Sequence, residues 1–194
     1  VKLRILRNSR KKQEIPEWFL STKDEENLSR SDKQKYIEKL QKYCIERIPV
    51  NTTMGAMVIG PKLKNFTNYI ARKLCNIWEG GKVKFVTDGV ENIPQESVIF
   101  ASSHQGVLDG FVWITDCPKH ALIVHGAETR KALLLAQLNT GLILVTKKKE
   151  NRRSRINSKL DMMTVLLKGY SIIIFPETTW NLSPNLLHLP FNYG

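Results

Sequence analysis

Apolar and polar positions follow two different periods along this chain, and the change falls near residue 80. Before it, apolar residues recur at helical spacing. Ile37, Leu40, Cys44, Ile45 and Ile48 predict a helix over 31–48, capped by Ser31 and stopped by Pro49. A second helix is predicted over 61–78. Pro61 suits its first turn, Leu63, Phe66, Tyr69, Ile70, Leu74, Ile77 and Trp78 form one stripe, and Gly80-Gly81 ends it. Lys62, Lys64, Arg72 and Lys73 flank that stripe. The stripe is expected to pack on the core, with a basic amphipathic helix lying in a membrane interface as the competing reading. Residues 1–30 are mostly polar around Pro16, Trp18 and Phe19 and read as a loosely ordered lead-in.

From residue 82 onward, short apolar runs alternate with helical stretches. Strands are predicted over 83–86, 97–101 (as a buried strand), 121–124, 142–145 and 171–175. Helices are predicted over 107–115, 131–138 and 155–167, the last ended by Gly169. That alternation implies an α/β fold, a mostly parallel sheet covered by helices, preceded by an N-terminal helical segment.

Composition narrows the class. The chain has 194 residues, 42% of them hydrophobic and 25% charged, which is globular and excludes disordered, collagenous and disulfide-rich chains. Cys44, Cys75 and Cys117 lie far apart without metal or redox spacing, so they are expected to be free, buried thiols in a reducing compartment, and no metal site is expected. No apolar run is long enough to span a bilayer. Val1 is not an initiator Met, so the native N-terminus is expected to lie before it. The formal net charge of +12 includes a dense run at Lys147, Lys148, Lys149, Arg152, Arg153 and Arg155. Such a surface attracts anions, whether phosphate-bearing substrates, an anionic membrane leaflet or nucleic acid. No recognised nucleic-acid-binding signature accompanies it, and the basic residues are spread over several elements.

In a parallel sheet the chemistry sits beyond the carboxyl ends of the strands. Two strand ends here are chemically loaded. The first runs Ser102-Ser103-His104-Gln105-Gly106-Val107-Leu108-Asp109. Five residues on a helix rotate by about 140°, so His104 and Asp109 meet only if His104 lies in the strand-to-helix turn and Asp109 in the first helical turn. Gly106 permits such a turn. Asp109 can then accept from one imidazole nitrogen, leaving the other to take a proton from a hydroxyl. Ser102 and Ser103 read as turn or cap residues, and the absence of a Gly-x-Ser-x-Gly elbow ranks a hydrolase last. The second loaded end runs Phe175-Pro176-Glu177-Thr178-Thr179-Trp180.

Taken together, these segments resemble the glycerolipid acyltransferases of the lysophosphatidic acid (1-acylglycerol-3-phosphate) acyltransferase type. Asp88 to Pro94 resembles the family's lead-in, and Ser103 to Asp109 its His-x4-Asp block. Gly141 to Lys147 resembles its second block, Phe175 to Thr179 its Phe-Pro-Glu-Gly-Thr block, and Leu189-Pro190-Phe191 follows at a family-like distance. The chain departs from the family at several places. Ser103 replaces an Asn, Lys147 an Arg, and Thr178 and Trp180 stand where Gly and Arg are usual. Asn192 and Tyr193 follow where a basic residue is common. Lysine offers a phosphate a point charge without the guanidinium fork.

The chain is expected to divide into an N-terminal helical segment over 1–80, with a membrane-facing role motivated by residues 61–78 and the basic run, and an acyltransferase core over 81–194 whose sheet, by the resemblance, would continue past Gly194. The resemblance implies transfer of an acyl chain from a thioester, acyl-CoA or acyl carrier protein, to the hydroxyl of a lysophospholipid in phospholipid biosynthesis. His104 would be the general base and Asp109 its orienting carboxylate, with no acyl-enzyme and no cofactor beyond the thioester. Backbone amides near the helix start would stabilise the oxyanion. Lys147 and Arg152 would hold an acceptor phosphate or the donor's phosphopantetheine arm. Glu177, Thr178, Thr179 and Trp180 would line the acceptor pocket, with Trp180 walling an apolar or differently headed acceptor. The expected location is cytoplasmic, peripheral to the inner face of a membrane with an anionic surface. The alternatives are a catalytically weak relative that binds lipid and, behind it, a nucleic-acid-binding module.

Overall fold

The computed structural model describes residues 15–21, 28–53, 61–78, 80–82, 84, 86–106, 108–117, 121–126, 141–146 and 151–177. They form helices α1 (Glu17–Ser21), α2 (Arg30–Glu46), α3 (Pro61–Trp78), α4 (Leu108–Asp116) and α5 (Arg152–Leu167). The strands are β1 (Thr52–Thr53), β2 (Ile99–Ala101), β3 (Ala121–Gly126), β4 (Leu142–Val145) and β5 (Ser171–Ile174). The sheet order is β1-β4-β3-β5-β2. β2, β5, β3 and β4 run parallel, and β1 closes one edge antiparallel to β4. The fold is therefore α/β with a mostly parallel sheet covered by helices.

Alternation along the central strands sends side chains to two cores. Leu122, Ile143 and Ile172 point to one face and pack against Val165 of α5. Ile123, Leu142 and Ile173 point to the other, where they meet Ala121, Cys117 and, less deeply buried, Phe100 and Trp113. Each such side chain stabilises the fold by roughly 1.5–3 kcal/mol relative to exposure. α5 is covered in turn on its outer side, where Leu160 joins Ile15, Leu40 and Cys44, with Trp18, Phe19, Tyr36 and Tyr43 around them. No helix among the described residues is long and apolar enough to cross a membrane.

Several expectations need correction. Residues 15–21 are not a loose lead-in. Ile15 is buried, and Trp18 sits edge-on to Phe19, Tyr36 and Tyr43. The cap of α2 is Ser29, whose hydroxyl accepts from the Asp32 amide at 3.2 Å, not Ser31. Ile37, Ile45 and Ile48 are exposed, so only Leu40 and Cys44 of that stripe reach the core. No strand forms at Lys84 or Val86, while Val83 and Phe85 lie outside the described residues. β2 is an edge strand rather than a buried one, and Ile99 is exposed. α5 starts at Arg152, three residues earlier than expected, because the Asn151 carboxamide oxygen accepts from the Ser154 amide. β1 was not anticipated, since two threonines after a proline-ended helix carry no strand period. The helix expected over 131–138 and everything beyond Glu177 lie outside the described residues.

The largest correction concerns α3. Its bounds match the expectation, and Gly80 and Gly81, both at positive φ, turn the chain while their amides bond Ile77 O and Asn76 O. Its stripe, however, does not pack on the core. Phe66 is 58% exposed, Tyr69 59% and Ile77 72%, with Ile70 and Leu74 also exposed. The helix is held instead by its polar side. The Asn68 carboxamide and the Arg72 guanidinium donate to Thr115 O, Arg72 pairs with Asp116 at 2.7 Å, and Cys75 is buried. At about 100° per residue, Asn68, Arg72 and Cys75 lie roughly opposite Phe66, Ile70 and Ile77. The apolar face is thus turned away from the protein.

Candidate active site

β2 and β5 are parallel neighbours, and Ala101 is in register with Ile174. The chain leaves both strands at the same edge of the sheet. His104 and Glu177 each lie three residues past that register pair, which is why two segments so far apart in sequence meet. The Ser102 amide still donates to Ile174 O at 3.0 Å, the last rung before the strands part. Ser102 also accepts from the Trp113 indole at 2.9 Å, tying the strand end to α4. Ser102 is therefore a structural hydroxyl.

Asp109, in the first turn of α4, organises the turn. Its Oδ2 atom lies 2.8 Å from His104 Nδ1 and accepts from the Gln105 amide at 2.6 Å and the Gly106 amide at 2.9 Å. With two backbone donors already on that oxygen, the carboxylate cannot rotate freely. The imidazole it contacts is fixed in direction, and Nδ1 is its hydrogen-bearing nitrogen, because a carboxylate only accepts. The protonatable nitrogen is then Nε2. His104 is 24% exposed and Asp109 22%, so the pair is reachable from solvent yet shielded enough for its hydrogen bond to matter. The ring of His104 rests on Phe175, centroids 4.5 Å apart and planes inclined by 31°.

Glu177 is buried at this strand end, and its Oε2 atom accepts from the His104 amide at 3.1 Å. Its observed partner is the protein's own main chain. The amides of His104, Gln105 and Gly106 all end on carboxylates. These three already donate elsewhere. Lys147, Thr178, Thr179 and Trp180 lie outside the described residues. Arg152 is exposed at the start of α5, following β4. β3 and β5 separate β4 from β2. At strand spacings of about 4.8 Å, that puts the two strand axes about 14 Å apart.

The stacking of Phe175 and the anchoring of Trp113 on Ser102 were not anticipated. The signal for the first was present, since an aromatic residue closes the strand that neighbours the histidine's own. Cys44, Cys75 and Cys117 are buried and form no disulfide, and burial pushes the Cys44 thiol up, away from the reactive thiolate form.

Residues 84–194 match the family model described as Acyltransferase. No curated protein matches the chain.

Proposed function

Because the chain belongs to the acyltransferase family, we propose that it moves a fatty acyl chain from a thioester, acyl-CoA or acyl carrier protein, to the hydroxyl of a lysophospholipid, as in phospholipid biosynthesis. The observation that carries this reading is the contact between His104 and Asp109 at the mouth of two parallel strands. His104 Nε2 takes the proton of the acceptor hydroxyl as that oxygen attacks the thioester carbonyl. Asp109 holds the Nδ1 proton and stabilises the imidazolium that forms. The tetrahedral intermediate collapses, the carbon–sulfur bond breaks, and the imidazolium returns its proton to the leaving thiolate. The products are the ester and the free thiol, with His104 neutral again. General-base assistance of this kind is worth about 10²- to 10⁴-fold, or roughly 3–5 kcal/mol.

Arg152, in the helix that follows β4, with two strands between β4 and β2, suits the phosphate groups of the donor better than those of a compact acceptor. Lys147 shares that role. Thr178, Thr179 and Trp180 line the acceptor side, and Trp180 favours an acceptor without a terminal phosphomonoester at that position.

We place the enzyme peripherally on an anionic membrane surface, on the inner, cytoplasmic side. The outward apolar face of α3 supports this. A helix that carries Lys62, Lys64 and Lys73 and no acidic residue complements anionic headgroups while its aromatic and aliphatic side chains enter the interface.

The test is thiol release from acyl-CoA and, separately, from an acyl carrier protein thioester, across a panel of lysolipids. Acceptor-dependent release names both substrates. A folded protein that releases no thiol with any pair is a lipid-binding relative instead. For the membrane contact, sedimentation with anionic liposomes is expected for the native chain and reduced by Phe66→Ser with Ile77→Ser. Equal sedimentation of both would remove α3 from the account.

A further inference from the structure

Glu177 has an unusual position for a residue that contacts substrate. It is buried, and its carboxylate bonds the main chain of the residue proposed as the base. A carboxylate withdrawn from water is costly unless its oxygens are supplied with donors. Here a donor is the N–H of His104 itself. The same strand end supplies Phe175, on whose ring the imidazole lies. β5 therefore touches His104 twice, once under the ring and once at the main chain, while Asp109 of α4 fixes the ring edge.

We infer that Glu177 is a positioning residue for His104, holding the reactive turn from the strand side as Asp109 holds it from the helix side. This inference rests on the reading of His104 as the general base. It differs from the expectation that Glu177 lines the acceptor pocket. A turn pinned by only one carboxylate can pivot about its strand end. A turn pinned by two presents Nε2 in one place. Catalysis is sensitive to this, since displacing a reacting group by about 1 Å can cost on the order of 10²-fold.

The experiment compares Glu177→Ala and Glu177→Gln with the native chain in steady-state acyl transfer and in backbone amide exchange read residue by residue by NMR. The glutamine keeps a carbonyl oxygen that can accept from the His104 amide, and the alanine does not. The expected result for alanine is a kcat lowered by about 10²-fold, with the acceptor KM within about twofold. Exchange at the His104 amide should be at least about tenfold faster. Glutamine should restore kcat to within about tenfold of native and keep the amide protected. If alanine at this buried position prevents folding, Glu177→Met removes the acceptor while filling the space, with the same expectations.

A raised acceptor KM at unchanged kcat in both variants would overturn the inference and return Glu177 to the acceptor pocket. An exchange rate at His104 that ignores the alanine or methionine would overturn it too, whatever the kinetics. The exchange arm needs no turnover. If the native chain transfers no acyl group, the base assignment falls, while loss of amide protection would still establish the clamp.

Discussion

Two carboxylates in this molecule act as hubs, and the contrast between them separates a structural seam from the one proposed to be reactive. Asp161, fully buried in α5, accepts from the amides of Val50 and Asn51 and the hydroxyl of Thr52, and pairs with the equally buried Arg47. Asp109 accepts from the amides of Gln105 and Gly106 and pairs with His104. Each carboxylate gathers two backbone donors and one cationic or potentially cationic side chain. What differs is the partner and its access to water. Arginine keeps its charge throughout the accessible pH range, so nothing moves in the Asp161 hub. It ties α2 and β1 to the helix that covers the sheet, helped by Asn157 on Arg47 and Lys168 on the Arg47 carbonyl. At Asp109 the partner is an imidazole, and it meets solvent. The same hydrogen-bonding pattern is thus sealed from water in one place and open to it in the other.

The comparison can be broken in graded steps. Asp161→Ala leaves Arg47 buried without its counter-charge and strips three further donors. It should destabilise the fold by about 3–5 kcal/mol, read from denaturant midpoints, whereas Asp109→Ala should cost far less stability. Equal losses would mean that the hubs do not differ as argued. Asp109→Asn addresses the reactive hub. It offers an amide where the Nδ1 proton must be accepted, and acyl transfer should fall by about 10²-fold or more while the melting temperature changes little. Arg47→Lys keeps the charge but loses the fork that reaches both Asp161 and Asn157. A loss of about 1–3 kcal/mol is expected in thermal or chemical unfolding, and a neutral outcome would show that geometry contributes nothing there.

The smallest effect concerns Asp116, at the far end of the helix whose first turn holds Asp109. Burial raises its carboxyl, but the hydrogen bonds from Thr87, Thr115 and Arg72 outweigh burial together, so its value lies below the ordinary 3.8. A depressed folded value stabilises above the unfolded value and is lost as pH falls through the folded one. Stability should therefore decline as the pH drops below about 4, and Thr87→Val with Arg72→Ala should flatten that acid limb. An unchanged limb in pH-dependent unfolding would remove Asp116 as the fastening between α3 and α4.

The two hubs also mark what is legible in a sequence. His104 and Asp109 are five residues apart, and local geometry alone dictates that they meet across a strand-to-helix turn. Strands β3, β4 and β5 were equally legible, because apolar runs this short and rich in Ile and Val suit buried strands better than helices. Arg47 and Asp161 are not neighbours in any local sense, and their pairing follows from α2 docking on α5, which no periodicity encodes. α3 misleads for a related reason. Its amphipathic stripe was read correctly as a stripe, but periodicity reports a face and not the direction it points. The direction was set by Asn68 and Arg72 finding Thr115 and Asp116, long-range polar contacts. Glu177 was legible in its block, but its contact with the His104 amide follows from the parallel register of β2 with β5.

The central claim is that His104, oriented by Asp109, takes the proton of an acceptor hydroxyl. The most direct measurement is acceptor-dependent thiol release by His104→Ala beside the native chain, at saturating donor and acceptor, with both proteins shown to be folded. The account predicts release by the native chain and a loss of about 10²- to 10⁴-fold in the variant. Release by the variant within a few-fold of native would contradict it, because the proton would then be leaving by another route.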